Sequence, residues 1–329
     1  MAKPKVYVTR LLPGEALSRL EGECEVEVNP EERAPTKEEI IEHVRDKDGL
    51  LCLLTDKVDS EVMDSAPNLK VISNYAVGFD NIDVKAATER GIVVTNTPGV
   101  LTETTADLAW ALLMAVARRI VEADKFTREG KFKGWSPTLL LGSDVYGKTL
   151  GIIGFGRIGR AVARRAKGFE MRVLYYDIER APEEVERELN AQYVDLEALL
   201  KEADYISIHA PLTPETHHMI GERELKMMKP TAYLINTARG PIVDERALVR
   251  ALKEGWIAGA ALDVYENEPE LTPGLAELPN VVLAPHIGSA SAETRTKMAE
   301  MAVSNLLSVL KGERPENIVN PEVWGRRRT

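Results

Sequence analysis

Three side chains that can bind an acid and move a proton follow three successive predicted strands. The strands cover residues 232–236, 257–262 and 281–284, and Arg239, Glu268 and His286 come after them in that order. A guanidinium can hold a carboxylate and a carbonyl oxygen through two parallel hydrogen bonds. A histidine can donate a proton to a developing alkoxide, and we expect Glu268 to orient its ring and to favour its protonated form. The set predicts reduction of a small 2-oxo acid by hydride transfer.

Each of these residue types also has a purely structural interpretation when it stands alone. An arginine is often an ion-pair residue, and a lone histidine is often packed in a core. The combination favours chemistry, because the carboxyl ends of parallel strands meet at one edge of a sheet, where ligands bind. We expect His209 to line a nucleotide groove, and His43, His217 and His218 to be solvated. No spacing typical of a metal site is present, so no metal is predicted.

A glycine-rich turn lies between a predicted strand at 151–153 and a predicted helix at 160–167. Gly154 permits the tight turn, Gly156 lets a pyrophosphate approach the backbone, and Gly159 lets the helix pack closely on the strand. The N-terminus of the helix attracts the anion. Such a turn can also be purely structural, but the order of strand, turn, helix, strand and acid favours a dinucleotide site.

The acid in that order is Asp177, eighteen residues after Gly159. Its carboxylate can accept hydrogen bonds from both adenosine-ribose hydroxyls and would repel a 2′-phosphate. At an effective dielectric constant near 20, one unit-charge pair at about 4 Å is worth roughly 4 kcal/mol. The sequence therefore predicts NAD as cofactor, with NADH preferred. The nearby Arg180 would weaken this preference, so NADPH remains an alternative.

Strands and helices alternate along the chain, which is typical of α/β domains. One series runs to residue 98, a second follows the glycine-rich turn, and a last helix at 291–310 is expected to return to the first series. We therefore predict a doubly wound parallel sheet inserted into a smaller α/β domain, with a hinge around a cleft. The substrate domain would comprise residues 1–99 and 290–329, and the nucleotide domain residues 100–289.

Three further segments have distinctive patterns. Thr102–Val121 reads as one long alanine-containing helix that could lie against the other domain or a second subunit. Residues 130–147 lack periodicity but contain apolar side chains such as Phe132 and Trp135, which are expected to pack against something. We predict that the basic tail Arg326–Arg328 is frayed.

Composition excludes several classes of partner. The net charge of −10 argues against nucleic acid and anionic membranes, since both attract basic surfaces. No apolar run approaches the length of a membrane span, and the N-terminal residues lead into a strand rather than a signal peptide, so a cytoplasmic protein is predicted. Cys24 and Cys52 are expected to be buried free thiols, with a single disulfide as the alternative.

Seven segments of the sequence together resemble the D-isomer-specific 2-hydroxyacid dehydrogenase family. They are Asn74–Asp83, Asn96–Pro98 with Thr104–Asp107, Gly154–Gly159, His209–Thr213, Asn236–Gly240, Leu262–Pro269 and Pro285–Ala290. The resemblance covers nearly the whole chain, and within the family it is greatest to archaeal-type glyoxylate/hydroxypyruvate reductases. It implies a Rossmann domain inserted into a flavodoxin-like domain.

The resemblance also implies roles for particular residues. Arg239, Glu268 and His286 would be catalytic, as substrate anchor, orienting carboxylate and proton donor. The substrate-binding set would be Arg239, His286, Leu53, Trp135 and the backbone N–H groups of Val77 and Gly78. The cofactor-binding set would be Thr105, Gly154, Gly156, Arg157, Ile158, Gly159, Asp177, His209, Pro211, Thr237, Ala238, Asp263 and Gly288. Family members are typically homodimers. In this chain the helix over Thr102–Val121 and the apolar segment at residues 130–147, here called the arm, would embrace the second subunit, and Trp135 would reach the cleft of that subunit.

Several positions separate this chain from other branches of the family. Glu268 stands where formate dehydrogenases have glutamine, and Val77 stands where phosphite dehydrogenases have lysine. Asp177 stands where many relatives of glyoxylate reductase have serine or glycine, which bears on the cofactor rather than on the reaction. Two alternatives remain: a broader 2-oxo-acid reductase of the D-lactate or keto-sugar-acid type, and an NAD-sensing binding protein.

Overall fold

Short parallel strands separated by helices build two sheets, each in its own part of the chain. The computed structural model describes residues 2–329. One unit contains the residues up to Leu101 together with Ser289–Thr329, and the other is Thr102–Gly288. Because both ends of the chain belong to the first unit, the second is inserted into it.

The N-terminal part of the first unit alternates strictly between strand and helix. Its elements are β1 (Lys5–Val8), α1 (Ala16–Glu23), β2 (Glu25–Val28), α2 (Lys37–Val44), β3 (Gly49–Cys52), α3 (Ser60–Asp64), β4 (Val71–Asn74), α4 (Val84–Glu89) and β5 (Val93–Thr95). The parallel sheet has the order β2-β1-β3-β4-β5, which is the flavodoxin-like order. Thr36 and Glu39 form a capping box at the start of α2.

The second unit begins with two helices and then forms a larger sheet. Its elements are α5 (Thr102–Ala117), α6 (Ile120–Arg128), β6 (Thr149–Ile153), α7 (Arg157–Ala166), β7 (Arg172–Tyr176), α8 (Glu183–Leu189), β8 (Ala191–Tyr193), α9 (Leu196–Glu202), β9 (Tyr205–Ile208), α10 (Glu222–Met227), β10 (Tyr233–Asn236), α11 (Glu245–Glu254), β11 (Gly259–Leu262) and β12 (Val281–Leu283). The parallel sheet has the order β12-β11-β10-β9-β6-β7-β8. Counted from β6, its first six strands follow the doubly wound Rossmann order, with β12 added at one edge.

The final helix, α12 (Ala292–Leu310), completes the first unit. Its apolar face, including Ala302 and Leu306, packs with Val8, Leu51 and Val71 in one buried cluster. The Ser73 hydroxyl donates to the Ala302 carbonyl at 2.8 Å. The predicted return of the C-terminal helix to the N-terminal domain is therefore confirmed, and the structure has the predicted α/β fold class.

The prediction of one long helix over Thr102–Val121 is wrong in one respect. The helix ends at Ala117 and α6 starts at Ile120, because Arg119 between them adopts a left-handed backbone conformation with φ of 53°. The alanine-containing face of α5 packs on α7 and on the sheet of its own unit. Trp110 fixes this contact by donating to the Val162 carbonyl at 3.1 Å.

The C-terminal tail is ordered, in contrast to the frayed end that we predicted. A 3₁₀ turn spans Pro321–Arg326. The Arg328 N–H donates to the Gly91 carbonyl at 2.8 Å. Its guanidinium donates to the carbonyls of Ala66, Pro67 and Leu69 at 3.1–3.2 Å. The tail therefore satisfies backbone acceptors at one end of the first unit.

Replacing Arg328 by alanine should destabilise the protein by about 1–3 kcal/mol, because three carbonyls lose a charged donor. The urea midpoint of unfolding, followed by circular dichroism, should fall. Arg326→Ala is the matched control, since the Arg326 side chain is exposed. Equal midpoints for the two variants would contradict the proposed anchoring role of the tail.

Both cysteines are buried free thiols, as predicted. Among residues 2–329, no helix is long and apolar enough to cross a bilayer.

Candidate active site

The turn between β6 and α7 contains three glycines, and the structure shows why two of them must be glycine. Gly154 has φ of +89°, and a Cβ atom there would lie 2.5 Å from the Ala210 nitrogen. A Cβ on Gly159 would lie 2.1 Å from the Gly154 carbonyl oxygen, so helix and turn are in direct contact. No atom lies within 4 Å of the corresponding position on Gly156. The turn is therefore tightly packed behind and open in front of the helix N-terminus, as an anion cradle requires.

Asp177 follows β7 and lies against this turn. One carboxylate oxygen accepts from the Phe155 N–H at 2.6 Å, and the other accepts from the Ile178 N–H at 2.7 Å. Arg180 is paired with Glu186, at 2.8 and 3.0 Å. Glu186 also accepts from the Tyr175 hydroxyl at 2.6 Å. The positive charge of Arg180 is thus largely offset by a neighbour of its own.

Of the other predicted cofactor residues, Arg157 and Ile158 begin α7, and the rest lie at the ends of neighbouring strands or on α5. His209 and Pro211 follow β9, Thr237 and Ala238 follow β10, Asp263 follows β11, Gly288 follows β12, and Thr105 belongs to α5. The His209 ring contacts the Ser207 hydroxyl at 2.8 Å. Burial lowers the pKa of His209 to about 3, so its imidazole is neutral at physiological pH. His209 is thus a neutral polar side chain rather than a cation.

Asp263 is the most enclosed of these residues, with none of its surface exposed. One carboxylate oxygen accepts from the Ile287 N–H at 2.7 Å, whereas the other is buried without a hydrogen-bond partner among the described residues. Burial raises the pKa of Asp263, and two backbone N–H groups and the charge of His286 offset this effect only in part. A Cβ on Gly288 would lie 3.3 Å from the unpartnered oxygen and 3.5 Å from Thr105.

An unpartnered buried oxygen is costly unless a ligand completes its hydrogen bonds. The Thr237 hydroxyl is a second buried group that no atom within residues 2–329 pairs with. Both groups lie in the unit that carries the glycine-rich turn. The residues present therefore fit a nicotinamide dinucleotide, with Asp263 as an acceptor for an amide donor.

Glu268 and His286 form a close pair after β11 and β12. The His286 Nδ1 and a Glu268 carboxylate oxygen are 2.8 Å apart. The other oxygen of Glu268 accepts from the Tyr265 N–H at 3.0 Å. His286 has a left-handed backbone conformation with φ of 53°, and its N–H donates to the Asp263 carbonyl at 2.9 Å. Its Nε2 atom makes no hydrogen bond within the described chain, so this atom can serve a ligand.

The electrostatics of the pair keep Glu268 ionised. Burial raises the pKa of its carboxyl, but the hydrogen bond and charge of His286, the Tyr265 N–H and the charge of Arg239 outweigh burial. The net pKa of Glu268 therefore lies below the ordinary value. The pair therefore stabilises the folded protein fully above the ordinary pKa of a carboxyl group. This stabilisation is lost as pH falls through the lowered pKa of Glu268.

Arg239 follows β10, the strand next to β11, and its charge helps to lower the pKa of Glu268. The guanidinium donates to the Ala238 carbonyl at 2.8 Å. Its backbone is fixed by Asn236, whose side-chain amide donates to the Arg239 carbonyl at 2.9 Å. The three predicted catalytic residues thus come together at the ends of three adjacent strands.

The substrate residues predicted at Leu53, Val77 and Gly78 belong to the first unit. The Asn96 amide donates to the Val77 carbonyl and the Asn74 amide donates to the Gly78 carbonyl, each at 2.8 Å. The N–H groups of Val77 and Gly78 have no acceptor within residues 2–329. The two asparagines were not predicted as site residues; their positions, at the end of β4 for Asn74 and directly after β5 for Asn96, were the available signal.

Leu53 is held by polar contacts of its backbone. Its N–H donates to a buried Asp56 oxygen at 2.7 Å, and its carbonyl accepts from the Asn81 amide at 3.0 Å. Trp135, by contrast, lies on the arm at 130–147, which has no helix or strand. Its side chain is 85% exposed, and Phe132 and Leu141 of the same arm are also exposed.

Two of the histidines expected to be solvated are paired with carboxylates. His43 contacts Glu27, and His218 contacts Glu266 at 2.7 Å. In the part of the chain that the structure describes, no group of three His, Cys, Asp or Glu side chains could hold a metal ion.

Comparison with known proteins places these features in a wider context. Residues 110–288 match the family model for the NAD-binding domain of D-isomer-specific 2-hydroxyacid dehydrogenases. A glyoxylate reductase of Korarchaeum cryptofilum is 60% identical over 324 residues, which cover 98% of this chain and 97% of the relative. A solved structure from Thermus thermophilus superposes with a TM-score of 0.90 at 53% identity and covers 96% of this chain and 99% of its own. An NADPH-dependent glyoxylate/hydroxypyruvate reductase of Sinorhizobium meliloti, solved with NADP and malonate, gives a TM-score of 0.85 at 34% identity, with 97% of each chain covered.

Proposed function

Because the chain belongs to the D-isomer-specific 2-hydroxyacid dehydrogenase family, we propose that it reduces glyoxylate or hydroxypyruvate to the 2-hydroxy acid with NADH. The family resemblance predicted from the sequence motifs is confirmed. The observation that carries the proposal is the 2.8 Å pair of His286 and Glu268 beside Arg239, in the same unit as the glycine-rich turn. Reduction of a 2-oxo acid needs a carboxylate anchor, a proton donor and a dinucleotide site.

The cofactor would be held by the second unit. The turn at Gly154–Gly159 would receive the pyrophosphate, Asp177 the adenosine ribose, and Asp263 the carboxamide. When bound, the nicotinamide supplies the hydride. Arg157, Ile158, His209, Pro211, Thr237, Ala238, Thr105 and Gly288 would line the rest of the groove.

The substrate would be held through its carboxylate and carbonyl oxygens. Arg239 offers a planar pair of donors that matches these two oxygens. By the family resemblance, the N–H groups of Val77 and Gly78 would be further donors for the carboxylate, and Leu53 would limit the size of the substrate side chain. These contacts would orient the carbonyl carbon for attack and exclude water from it.

His286 would provide the proton. Its Nδ1 is engaged by Glu268, so the proton to be donated is the one on Nε2. The ionised Glu268 fixes the ring and stabilises the imidazolium before transfer. The carbonyl oxygen accepts this proton as negative charge develops on it, becomes a hydroxyl group, and the product leaves as the 2-hydroxy acid.

The exposed arm supports a homodimer. The irregular arm at 130–147 exposes large apolar side chains, which are those of Phe132, Trp135, Leu141 and Tyr146. We propose that the arms of two copies embrace and that Trp135 completes the substrate site of the partner. Sedimentation of the purified protein tests this state.

NADH should be preferred, because the Asp177 side chain lies at the turn and Arg180 is occupied by Glu186. Asp177→Asn keeps an oxygen for the Phe155 N–H but removes the charge. We expect it to lower the ratio of kcat/KM for NADH to that for NADPH about a hundredfold, by relief of repulsion against a 2′-phosphate.

The matched control for Asp177→Asn is Glu179→Gln, which removes an exposed charge two residues away. It should change the ratio less than about threefold. A wild-type preference for NADPH, or an equal effect of the two substitutions, would contradict this role of Asp177.

The proposed activity is tested by following NADH absorbance with glyoxylate, hydroxypyruvate, pyruvate and 2-ketogluconate. Glyoxylate or hydroxypyruvate should give the highest kcat/KM. Higher values for pyruvate or 2-ketogluconate would instead identify a broader 2-oxo-acid reductase. No turnover of any of them, with NADH or NADPH, would overturn the proposal.

A further inference from the structure

Tyr265 contacts the surroundings of all three proposed catalytic residues. The peptide between Tyr265 and Glu266 lies directly against Gly240, where a Cβ atom would come within 1.9 Å of the Tyr265 carbonyl carbon. Gly240 follows Arg239 in the chain. The Tyr265 N–H donates to Glu268, and the Tyr265 hydroxyl donates to the Ala284 carbonyl at 2.8 Å, two residues before His286. A displacement of Tyr265 would therefore reach all three residues.

Glu245, the first residue of α11, fixes that peptide from the other side. One oxygen of its carboxylate accepts from the Glu266 N–H at 2.8 Å. The other accepts from the Thr272 hydroxyl at 2.6 Å. These two contacts lie on either side of Glu268 in the chain. Glu245 thus holds both ends of the loop that carries Glu268.

The contact between α11 and the loop is reciprocal. The Glu266 carboxylate accepts from the Glu245 N–H at 3.3 Å and contacts His218 Nε2 at 2.7 Å. The loop is thereby fastened to the start of α11 through both backbone and side-chain atoms.

Packing alone does not account for a carboxyl at this position. Glu245 is 1% exposed, and burial raises its pKa despite the hydrogen bonds that it accepts. Burying such a group costs free energy that an apolar side chain would not incur. What the carboxyl provides is two directed acceptors, placed to define the course of residues 266–272.

We propose that Glu245 is a positioning residue for the reduction, holding the loop 265–272 so that Glu268 stays on the Nδ1 atom of His286. This inference rests on the proposed function, since it assigns Glu245 a part in the same site. The Glu245 carboxylate accepts hydrogen bonds from the Glu266 N–H and the Thr272 hydroxyl, not from any of the three catalytic side chains. It would therefore act through the loop.

The test compares Glu245→Ala with the conservative Glu245→Gln. Glutamine keeps an acceptor for the Glu266 N–H and can donate to the Thr272 hydroxyl oxygen, so it should keep kcat within about threefold of wild type. Alanine loses both contacts and should lower kcat about tenfold to a hundredfold, with little change in KM for the 2-oxo acid. If Glu245→Ala does not fold, Glu245→Asp, which is one methylene too short, takes its place.

A double-mutant cycle separates positioning from general destabilisation. If Glu245 acts through Glu268, then Glu245→Ala should cost less than about threefold when Glu268 is already glutamine. The same loss of kcat in both backgrounds would overturn the proposal. Thermal unfolding of each variant shows that the rates refer to folded protein.

A second readout does not depend on turnover. NMR signals from the rings of isotope-labelled histidines report the surroundings of each ring. The signals of His286 are identified as those missing from the spectrum of His286→Ala. In Glu245→Ala these signals should move towards their positions in Glu268→Gln, while Glu245→Gln keeps the wild-type positions. Unchanged His286 signals in Glu245→Ala would overturn the positioning role. Absence of 2-oxo-acid reduction by the wild-type protein would overturn the proposed function instead, and the ring spectra still decide the role of Glu245.

Discussion

Replacing His286 by alanine is expected to lower kcat for 2-oxo-acid reduction about a thousandfold, with a smaller change in KM. General acid catalysis by a positioned side chain contributes typically 10²–10⁴-fold. Here the donor is oriented by Glu268 at 2.8 Å and held by its own backbone N–H on Asp263. Steady-state kinetics at saturating NADH measure the effect directly.

The pH dependence gives a second measure of the same role. Reduction takes up one proton, which His286 supplies, so the wild-type rate should fall as pH rises when chemistry limits it. His286→Ala should lose this dependence. His217→Ala, an exposed histidine outside the site, is the matched control and should behave as wild type. Near-normal turnover of His286→Ala would exclude His286 as the proton donor.

Replacing Arg239 by lysine is expected to lower kcat/KM for the 2-oxo acid about 10²–10³-fold. Lysine keeps the charge but loses the planar pair of donors, and each hydrogen bond to a charged group is worth about 1.5–3 kcal/mol. Much of the loss should appear in KM, because the carboxylate is bound before and during the reaction. Substrate titrations at fixed NADH separate the two constants.

The control for Arg239→Lys is Arg223→Lys. The Arg223 side chain is 73% exposed, and its ion pair with Glu197 is long, at 3.9 Å. It should leave kcat/KM unchanged. If Arg239→Lys also retained the wild-type value, bidentate anchoring of the substrate by Arg239 would be ruled out.

The strand ends account for how much of the site could be predicted from the sequence. Apolar strands followed by Arg239, Glu268 and His286 indicated both the sheet and the residues at its edge, since parallel strands end together. The glycines were equally informative: Gly154 and Gly159 are required by contacts that a Cβ would violate. Where backbone geometry or the end of a strand dictates the residue type, the local sequence pattern is sufficient to predict the site residue.

Features that depend on distant parts of the chain could not be predicted in this way. The helix break at Arg119 needs a left-handed residue that is not glycine, so no local signal marks it. Three elements between Asp177 and Asp204 were not predicted. Helix α8 is largely charged and β8 is only three residues long, so neither has a clear apolar period. The contacts of Arg328 join residues more than 250 positions apart, where sequence pattern carries no information.

The insertion of one unit within the other has a consequence for synthesis on the ribosome. Val8, Leu51 and Val71 are made early, but α12, which buries them, is made only after the whole of Thr102–Gly288. At 5–20 residues per second this delay is roughly ten to forty seconds. The nucleotide-binding unit can therefore fold first, while the N-terminal sheet waits with an apolar face uncovered. Nascent chains stalled before Ala292 should accordingly be the ones that chaperones retain.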